Sequence, residues 1–116
     1  MRVLVIEDNL DFAAFVIAVL EMNGFQVWRA PRLAVGVGLL QMDPFDLVLL
    51  DLSLPDGDGL EFFERPEAQH TRVIVMTSMT DDSVIARLQA VATAYFIKPI
   101  SARALTDLVH QVLTEH

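Results

Sequence analysis

Six side chains that could carry out chemistry each lie close behind a short apolar run of the sequence. Three are carboxylates, two are hydroxyls, and one is the only lysine of the chain. They are Glu7, Asp8, Asp51, Thr77, Ser78 and Lys98. Close carboxylates repel one another and favour a divalent cation at neutral pH. Oxygen ligands without histidine or cysteine indicate Mg²⁺, Mn²⁺ or Ca²⁺, and Mg²⁺ suits a site with few protein ligands.

Asp51 is the most unusual of the three carboxylates. It follows the apolar residues 47–50 and precedes Leu52, and an unpaired charge beside a buried strand is costly. A bound cation would neutralise charge on an incoming phosphoryl group and allow a carboxylate to attack phosphorus. Lys98 could hold another phosphoryl oxygen, because lysine offers a compact point charge. These residue types therefore favour phosphoryl chemistry.

Five apolar runs alternate with segments that favour helices, which predicts the elements that must position these side chains. The runs cover residues 3–6, 25–29, 47–50, 73–76 and 95–97. The expected helices cover residues 11–23, 31–42, a short segment after 59, 82–91 and a segment after 101. This alternation predicts an α/β fold, with a parallel sheet covered by helices on both faces. Ligands bind beyond the carboxyl ends of such strands, so we expect the six side chains to meet there.

Local patterns predict where individual helices begin and end. Asp11 is placed to cap the first helix, and Gly24 is placed to end it. The third helix is expected to stop early, because Pro66 disfavours helical conformation at the residue before it.

Composition limits the classes of protein that this chain can belong to. Its 116 residues, 53% of them hydrophobic, suit one domain covering residues 1–116. The absence of cysteine is compatible with a reducing, cytoplasmic location. A net charge of −8 with scattered arginines argues against direct nucleic-acid binding. The longest apolar run, residues 12–20, is too short to cross a membrane. His70, His110 and His116 show no metal-ligand spacing and are expected at the surface.

Four motifs of the chain contain these side chains and the apolar runs before them. They are Val-Ile-Glu-Asp-Asn at 5–9, Leu-Val-Leu-Leu-Asp-Leu-Ser-Leu-Pro-Asp-Gly-Asp-Gly at 47–59, Val-Ile-Val-Met-Thr-Ser at 73–78 and Tyr-Phe-Ile-Lys-Pro at 95–99. In this order they resemble the motifs of the response-regulator receiver family of two-component signalling, which includes the chemotaxis regulators. The resemblance covers nearly the whole chain. It implies a flavodoxin-like, doubly wound sheet of five parallel strands in the order 2-1-3-4-5.

The resemblance also implies a role for each residue of the cluster. Asp51 is the expected phosphoacceptor. Asp8, Asp51 and the backbone carbonyl of Ser53 are the expected ligands of Mg²⁺, with Mn²⁺ as the alternative ion, and Glu7 acts mainly through water. Lys98, Thr77 and Ser78 are expected to contact the phosphoryl group. Thr77 and Tyr95 form the expected switch pair, and a cis peptide bond is expected before Pro99.

The function implied by the resemblance is that of a phosphorylated signalling switch. The phosphoryl group would come from a histidine kinase or a histidine phosphotransfer domain. We expect the chain to catalyse only its own phosphorylation and hydrolysis, with no external substrate. One alternative is an interaction module of the same fold that works without phosphorylation. Another is a metal-dependent phosphatase with Asp51 as nucleophile, although Ser53 stands where such enzymes carry a second aspartate.

Partner surfaces are expected on two sides of the fold. The first helix is apolar nearly all round, either as additional core or as the surface that docks the bundle carrying the phosphodonor histidine. The resemblance leaves open a homodimer through the fourth helix, the fifth strand and the fifth helix. The candidate partner residues are Phe15, Ile17, Leu88, Ile97 and Ile100.

Two segments depart from the family pattern. Val91 stands where the family usually has glycine before the last strand, which predicts an altered loop at residues 92–94. The span from Asp51 to Thr77 is short by about one helical turn, so the third helix should be stunted near Pro66.

Overall fold

A computed structural model describes residues 1–115, and a five-stranded parallel sheet forms its centre. The strands are β1 (Arg2–Ile6), β2 (Gln26–Ala30), β3 (Leu47–Asp51), β4 (Ser53–Leu54), β5 (Gly57–Asp58), β6 (Arg72–Thr77) and β7 (Ala94–Ile97). The main sheet has the order β2-β1-β3-β6-β7, and β4 and β5 form a separate antiparallel ladder. The predicted order 2-1-3-4-5 is therefore confirmed by sheet position.

Within the described residues, four α-helices cover the two faces of the sheet. They are α1 (Leu10–Met22), α2 (Leu33–Met42), α3 (Asp82–Val91) and α4 (Ala102–Thr114). All five residues of β3 are buried, as expected for a strand covered on both faces. Alternate strand residues enter two cores, one shared with α2 and α3 and the other with α1 and α4.

The predicted cap of the first helix is wrong, whereas its predicted end is confirmed. Asn9, rather than Asp11, is the N-cap, because its side chain accepts a hydrogen bond from the Phe12 N–H at 2.9 Å. Asp11 lies within the first turn of α1. Gly24 follows the helix with a φ of 85°, a conformation that glycine adopts without a Cβ clash.

The third helix is reduced to two 3₁₀ segments, Gly59–Glu64 and Pro66–Ala68. The prediction of a stunted element is confirmed, and Pro66 opens the second segment.

The loop before β7 is held by Thr93. Its N–H donates to the Val73 carbonyl at 3.0 Å, and its hydroxyl accepts from the Val73 N–H at 3.0 Å. These two bonds close the loop without glycine.

One predicted partner residue is wrong. Leu88 has no exposed surface and packs in the core beneath α3, because it lies on the inward side of that helix. Ile97 is 41% exposed, and Phe15, Ile17 and Ile100 are half-buried.

His70 and His110 are exposed as predicted, and His116 lies outside the described residues. Within residues 1–115, no helix has the length and apolar character needed to cross a membrane.

Candidate functional site

The carboxyl ends of two adjacent strands bring the three acidic side chains together. Glu7 follows β1 directly and Asp51 ends β3, which pairs with β1 in parallel. Ligand oxygens of Glu7, Asp8 and Asp51 all lie within 4.8 Å of one another. Glu7 is fully buried, Asp51 is 4% exposed, and Asp8 is exposed. The predicted acidic cluster is therefore present, with one member open to solvent.

Lys98 supplies positive charge to the buried carboxylates. Its Nζ lies 2.5 Å from Glu7 Oε1 and 3.3 Å from Asp51 Oδ1. The Lys98 backbone N–H donates to the Thr77 carbonyl at 2.7 Å, which continues the pairing of β6 with β7. A buried charge is tolerated when it is paired and hydrogen-bonded. The expected cis peptide bond between Lys98 and Pro99 is present.

The cluster carries more negative charge than Lys98 can balance. Burial raises the pKa of Glu7 from 4.5 to about 6, the neighbouring Asp51 adds to that rise, and the hydrogen bond from Lys98 opposes it. An arrangement of three carboxylate groups against one ammonium suits a hard divalent cation, which accepts oxygen ligands and offsets the repulsion. The residues present therefore fit a magnesium site.

Thr77 and Ser78 lie at the carboxyl end of β6, on the same rim as the carboxylates. Thr77 is buried, and its hydroxyl accepts a hydrogen bond from the Met79 N–H at 2.9 Å. Ser78 is exposed. Tyr95 of β7 is half-buried and pairs with Val75. Because side chains alternate along a strand, Tyr95 lies on the same sheet face as Thr77.

The turn that follows Asp51 in the chain requires glycine at position 59. Its N–H donates to the Leu52 carbonyl at 2.9 Å. A Cβ at this position would lie 2.6 Å from the Asp51 carbonyl oxygen and 2.8 Å from the Leu52 Cα. Ser53, whose carbonyl is the expected metal ligand, is exposed within this turn. Only a residue without a side chain permits the close approach that shapes the turn.

Two residues near the site were missed by sequence reasoning. The Phe12 ring centroid lies 4.6 Å from Lys98 Nζ, a cation–π contact on the side facing α1. Arg29, at the carboxyl end of β2, donates hydrogen bonds to the backbone carbonyls of Glu7 and Asp8. The position of Arg29 near the end of a predicted strand was the available indication, because strand ends meet at one edge. Nothing in the sequence pattern indicated Phe12.

Comparison with known proteins identifies the family to which this arrangement belongs. The family model described as "Response regulator receiver domain" matches residues 3–110. That match covers most of the chain and includes the acidic cluster, Thr77 and Lys98. The chain therefore belongs to the response regulator receiver domain family.

Curated relatives are longer than this chain. The KDP operon transcriptional regulatory protein KdpE of Escherichia coli is 34% identical over 117 residues, covering 99% of the chain and 52% of that protein. The swarming motility regulation protein RssB of Serratia marcescens is 33% identical, covering 97% of the chain and 51% of that protein. The chain spans about half the length of these relatives.

Solved structures support the same fold. A CheY-like response regulator receiver domain protein from Methanospirillum hungatei superposes with a TM-score of 0.89 at 27% identity, over 97% of this chain and 93% of that one. A two-component response regulator from Clostridium difficile gives a TM-score of 0.92 at 24% identity, over 99% and 97% of the two chains. The second likeness concerns the fold alone.

Proposed function

We propose that this protein is a phosphoacceptor switch in which Asp51 receives a phosphoryl group from a histidine of a kinase or phosphotransfer domain. The observation that carries the proposal is the meeting of three carboxylates within 4.8 Å, with Lys98 paired to two of them. Asp8, Asp51 and the Ser53 carbonyl would hold Mg²⁺ or Mn²⁺, with Glu7 acting mainly through water. A bound divalent ion would supply charge neutralisation for the phosphoryl oxygens.

The protein's own residues account for the rest of the transfer. A carboxylate oxygen of Asp51 forms a bond to phosphorus as the bond from phosphorus to the donor nitrogen breaks. The Lys98 ammonium, already 3.3 Å from Asp51 Oδ1, would contact one phosphoryl oxygen. The Thr77 hydroxyl already accepts a hydrogen bond from Met79, so its own proton is available for a second phosphoryl oxygen, and Ser78 lies beside it.

The phosphoryl group would act as a switch through Thr77 and Tyr95. It adds a charge of about −1.5 to −2 and strong acceptor oxygens. Movement of the Thr77 hydroxyl toward these oxygens would leave space beside β6 for Tyr95, which lies on the same sheet face. The surface that would change is formed by α3, β7 and α4, including Ile97 and Ile100. Phe15 and Ile17 of α1 would face the phosphodonor. The protein would turn over no external substrate.

Treatment with acetyl phosphate tests this function. We expect the wild-type protein to gain the mass of one phosphoryl group only when Mg²⁺ is present, as measured by intact mass spectrometry. Asp51→Asn should gain none, because the attacking carboxylate is lost. Asp107→Asn is a matched control, because Asp107 is exposed on α4. A mass gain in Asp51→Asn, or no gain in the wild type, would instead support another residue or the interaction-only alternative.

A further inference from the structure

Arg29 reaches from the edge strand β2 to the backbone that carries two of the three carboxylates. Its Nε and Nη2 donate to the Glu7 carbonyl at 3.2 and 3.0 Å, and Nη2 also donates to the Asp8 carbonyl at 3.3 Å. The strand register pairs Arg29 with Val5, two residues before Glu7. The side chain therefore contacts the first residues that follow β1.

These contacts occur where the chain leaves the sheet. The last ladder-like bond of this segment is the Glu7 N–H to the Ala30 carbonyl, at 3.0 Å. The Asn9 N–H donates to Glu7 Oε2 at 3.2 Å, and Asn9 then caps α1. Carbonyl groups beyond a strand need other partners, and a planar guanidinium can bond two of them in a fixed geometry. Arg29 thus holds the two peptide planes between β1 and the start of α1.

Arg29 acts on this segment through the backbone. Among the described residues, its guanidinium forms no ion pair with a carboxylate, since the ion pairs of the cluster involve Lys98. Arg29 is nevertheless a positive charge close to a site that is proposed to bind a cation. Its electrostatic effect would weaken Mg²⁺ binding, whereas its hydrogen bonds would strengthen binding by holding Asp8 in place. The two effects have opposite signs, so an experiment can separate them.

We propose that Arg29 is a positioning residue that preorganises the Glu7 and Asp8 carboxylates for a divalent cation. The inference rests on the proposed function, because it needs a cation at the acidic cluster. Residues that hydrogen-bond to metal ligands without contacting the metal typically contribute about 10- to 100-fold to metal affinity, which is lost when they are replaced. The bonds of Arg29 are to backbone atoms, so we expect a loss at the lower end of that range, about tenfold.

The test measures Mg²⁺ dissociation constants by isothermal titration calorimetry on the unphosphorylated protein. Arg29→Gln should bind Mg²⁺ about tenfold more weakly than the wild type. Arg29→Lys keeps the charge but loses the planar guanidinium that bonds both carbonyl groups, so the affinity of this variant for Mg²⁺ should also fall. Arg103→Gln makes the same charge change at an exposed position of α4 and should bind like the wild type. Circular dichroism and thermal melting would show whether each variant is folded.

Each outcome bears on the inference. Wild-type or tighter binding by a folded Arg29→Lys would overturn it, because that variant keeps the charge and loses only the paired hydrogen bonds. Weaker binding by Arg29→Lys would support it, whether or not Arg29→Gln folds. Tighter binding by a folded Arg29→Gln would also overturn it, because the charge would then outweigh the hydrogen bonds. Failure of the wild type to bind Mg²⁺ would reject the proposed function itself. Weaker Mg²⁺ binding by the Arg29 variants, together with normal Mg²⁺ binding by the wild type, supports the positioning role.

Discussion

Two glycines of the chain differ in the space available for a Cβ atom. A Cβ on Gly59 would meet backbone atoms of Asp51 and Leu52 at 2.6 and 2.8 Å. Backbone atoms cannot move aside as a flexible side chain can, so the turn that follows Asp51 requires a residue without a side chain at position 59. Gly38 lies within α2, and a Cβ built there meets nothing within 4 Å. The same substitution should therefore have opposite effects at the two positions.

We predict that Gly59→Ala lowers the free energy of unfolding by about 1–3 kcal/mol, the usual cost of overpacking a well-packed site. It should also slow phosphorylation of Asp51, because the turn that follows this residue must shift. Gly38→Ala should raise the free energy of unfolding by up to about 1 kcal/mol, since alanine favours a helix more than glycine does. Urea denaturation of both variants measures these changes. Equal effects at the two positions would contradict the steric explanation.

At the scale of secondary-structure elements, α2 receives its cap from a distant turn. Arg32 occupies the N-cap position but its side chain makes no capping bond. Asp56, in the turn between β4 and β5, accepts hydrogen bonds from the N–H groups of Leu33 and Ala34, both at 2.9 Å. These bonds stabilise the helix end and connect α2 to the turn that follows Asp51. Movement of that turn would therefore strain or break the hydrogen bonds at the start of α2.

We predict that Asp56→Ala lowers the free energy of unfolding by about 1 kcal/mol at pH 7, as for loss of a helix cap. The hydrogen bond from the Ala34 N–H lowers the pKa of Asp56 below its usual 3.8, and the Leu33 N–H adds to this effect. The contribution of the Asp56 carboxylate to the free energy of unfolding is therefore complete above the unfolded-state pKa. It is lost as the pH falls through the folded-state pKa of Asp56. Denaturant unfolding from pH 7 to pH 3 should show the wild type and variant converging.

A matched variant tests the cause of that convergence. Asp107 is exposed on α4, and Asp107→Ala removes the same charge without removing a cap. Its stability should remain close to that of the wild type across the same pH range. If the difference between Asp56→Ala and the wild type stays constant down to pH 3, the contribution does not depend on the ionised carboxylate.

At the scale of the whole molecule, burial of the acidic cluster opposes folding, and a cation bound there would offset this cost. Glu7 is fully buried and its raised pKa reflects that burial. Strands β1 and β3 lie side by side at the centre of the sheet, so they hold the carboxylates together regardless of the repulsion. A ligand that binds only the folded state stabilises it by mass action. Cation binding should therefore appear as global stability.

We predict that Mg²⁺ at a hundred times its dissociation constant raises the free energy of unfolding by about 2.7 kcal/mol. Thermal melts at increasing Mg²⁺ concentration should show a rising Tm for the wild type. Asp8→Asn should lose most of this rise, because it removes the exposed carboxylate of the cluster and leaves the buried Glu7 and Asp51 unchanged. Asp107→Asn should retain it. An equal rise in Asp8→Asn would indicate that Mg²⁺ stabilises the protein elsewhere.

Much of the architecture could be predicted because it depends on local patterns. The apolar runs become strands, Gly24 ends α1, and Pro66 opens the second 3₁₀ segment, because each depends on residues close by in the chain. The position of Asp51 at the end of such a run was enough to place it on the ligand-binding edge of the sheet. The roles of the individual site residues remain predictions, which the phosphorylation and Mg²⁺ experiments test.

The sequence by itself determined the alternation of strands and helices, and with it the edge at which Glu7, Asp51, Thr77 and Lys98 collect. Only the tertiary structure decided contacts between distant segments, such as Arg29 with the backbone of Glu7. It also decided that Leu88 faces the core rather than a partner. Such contacts depend on strand register, helix rotation and side-chain reach after packing, and residues far apart in the chain carry no local pattern that specifies them.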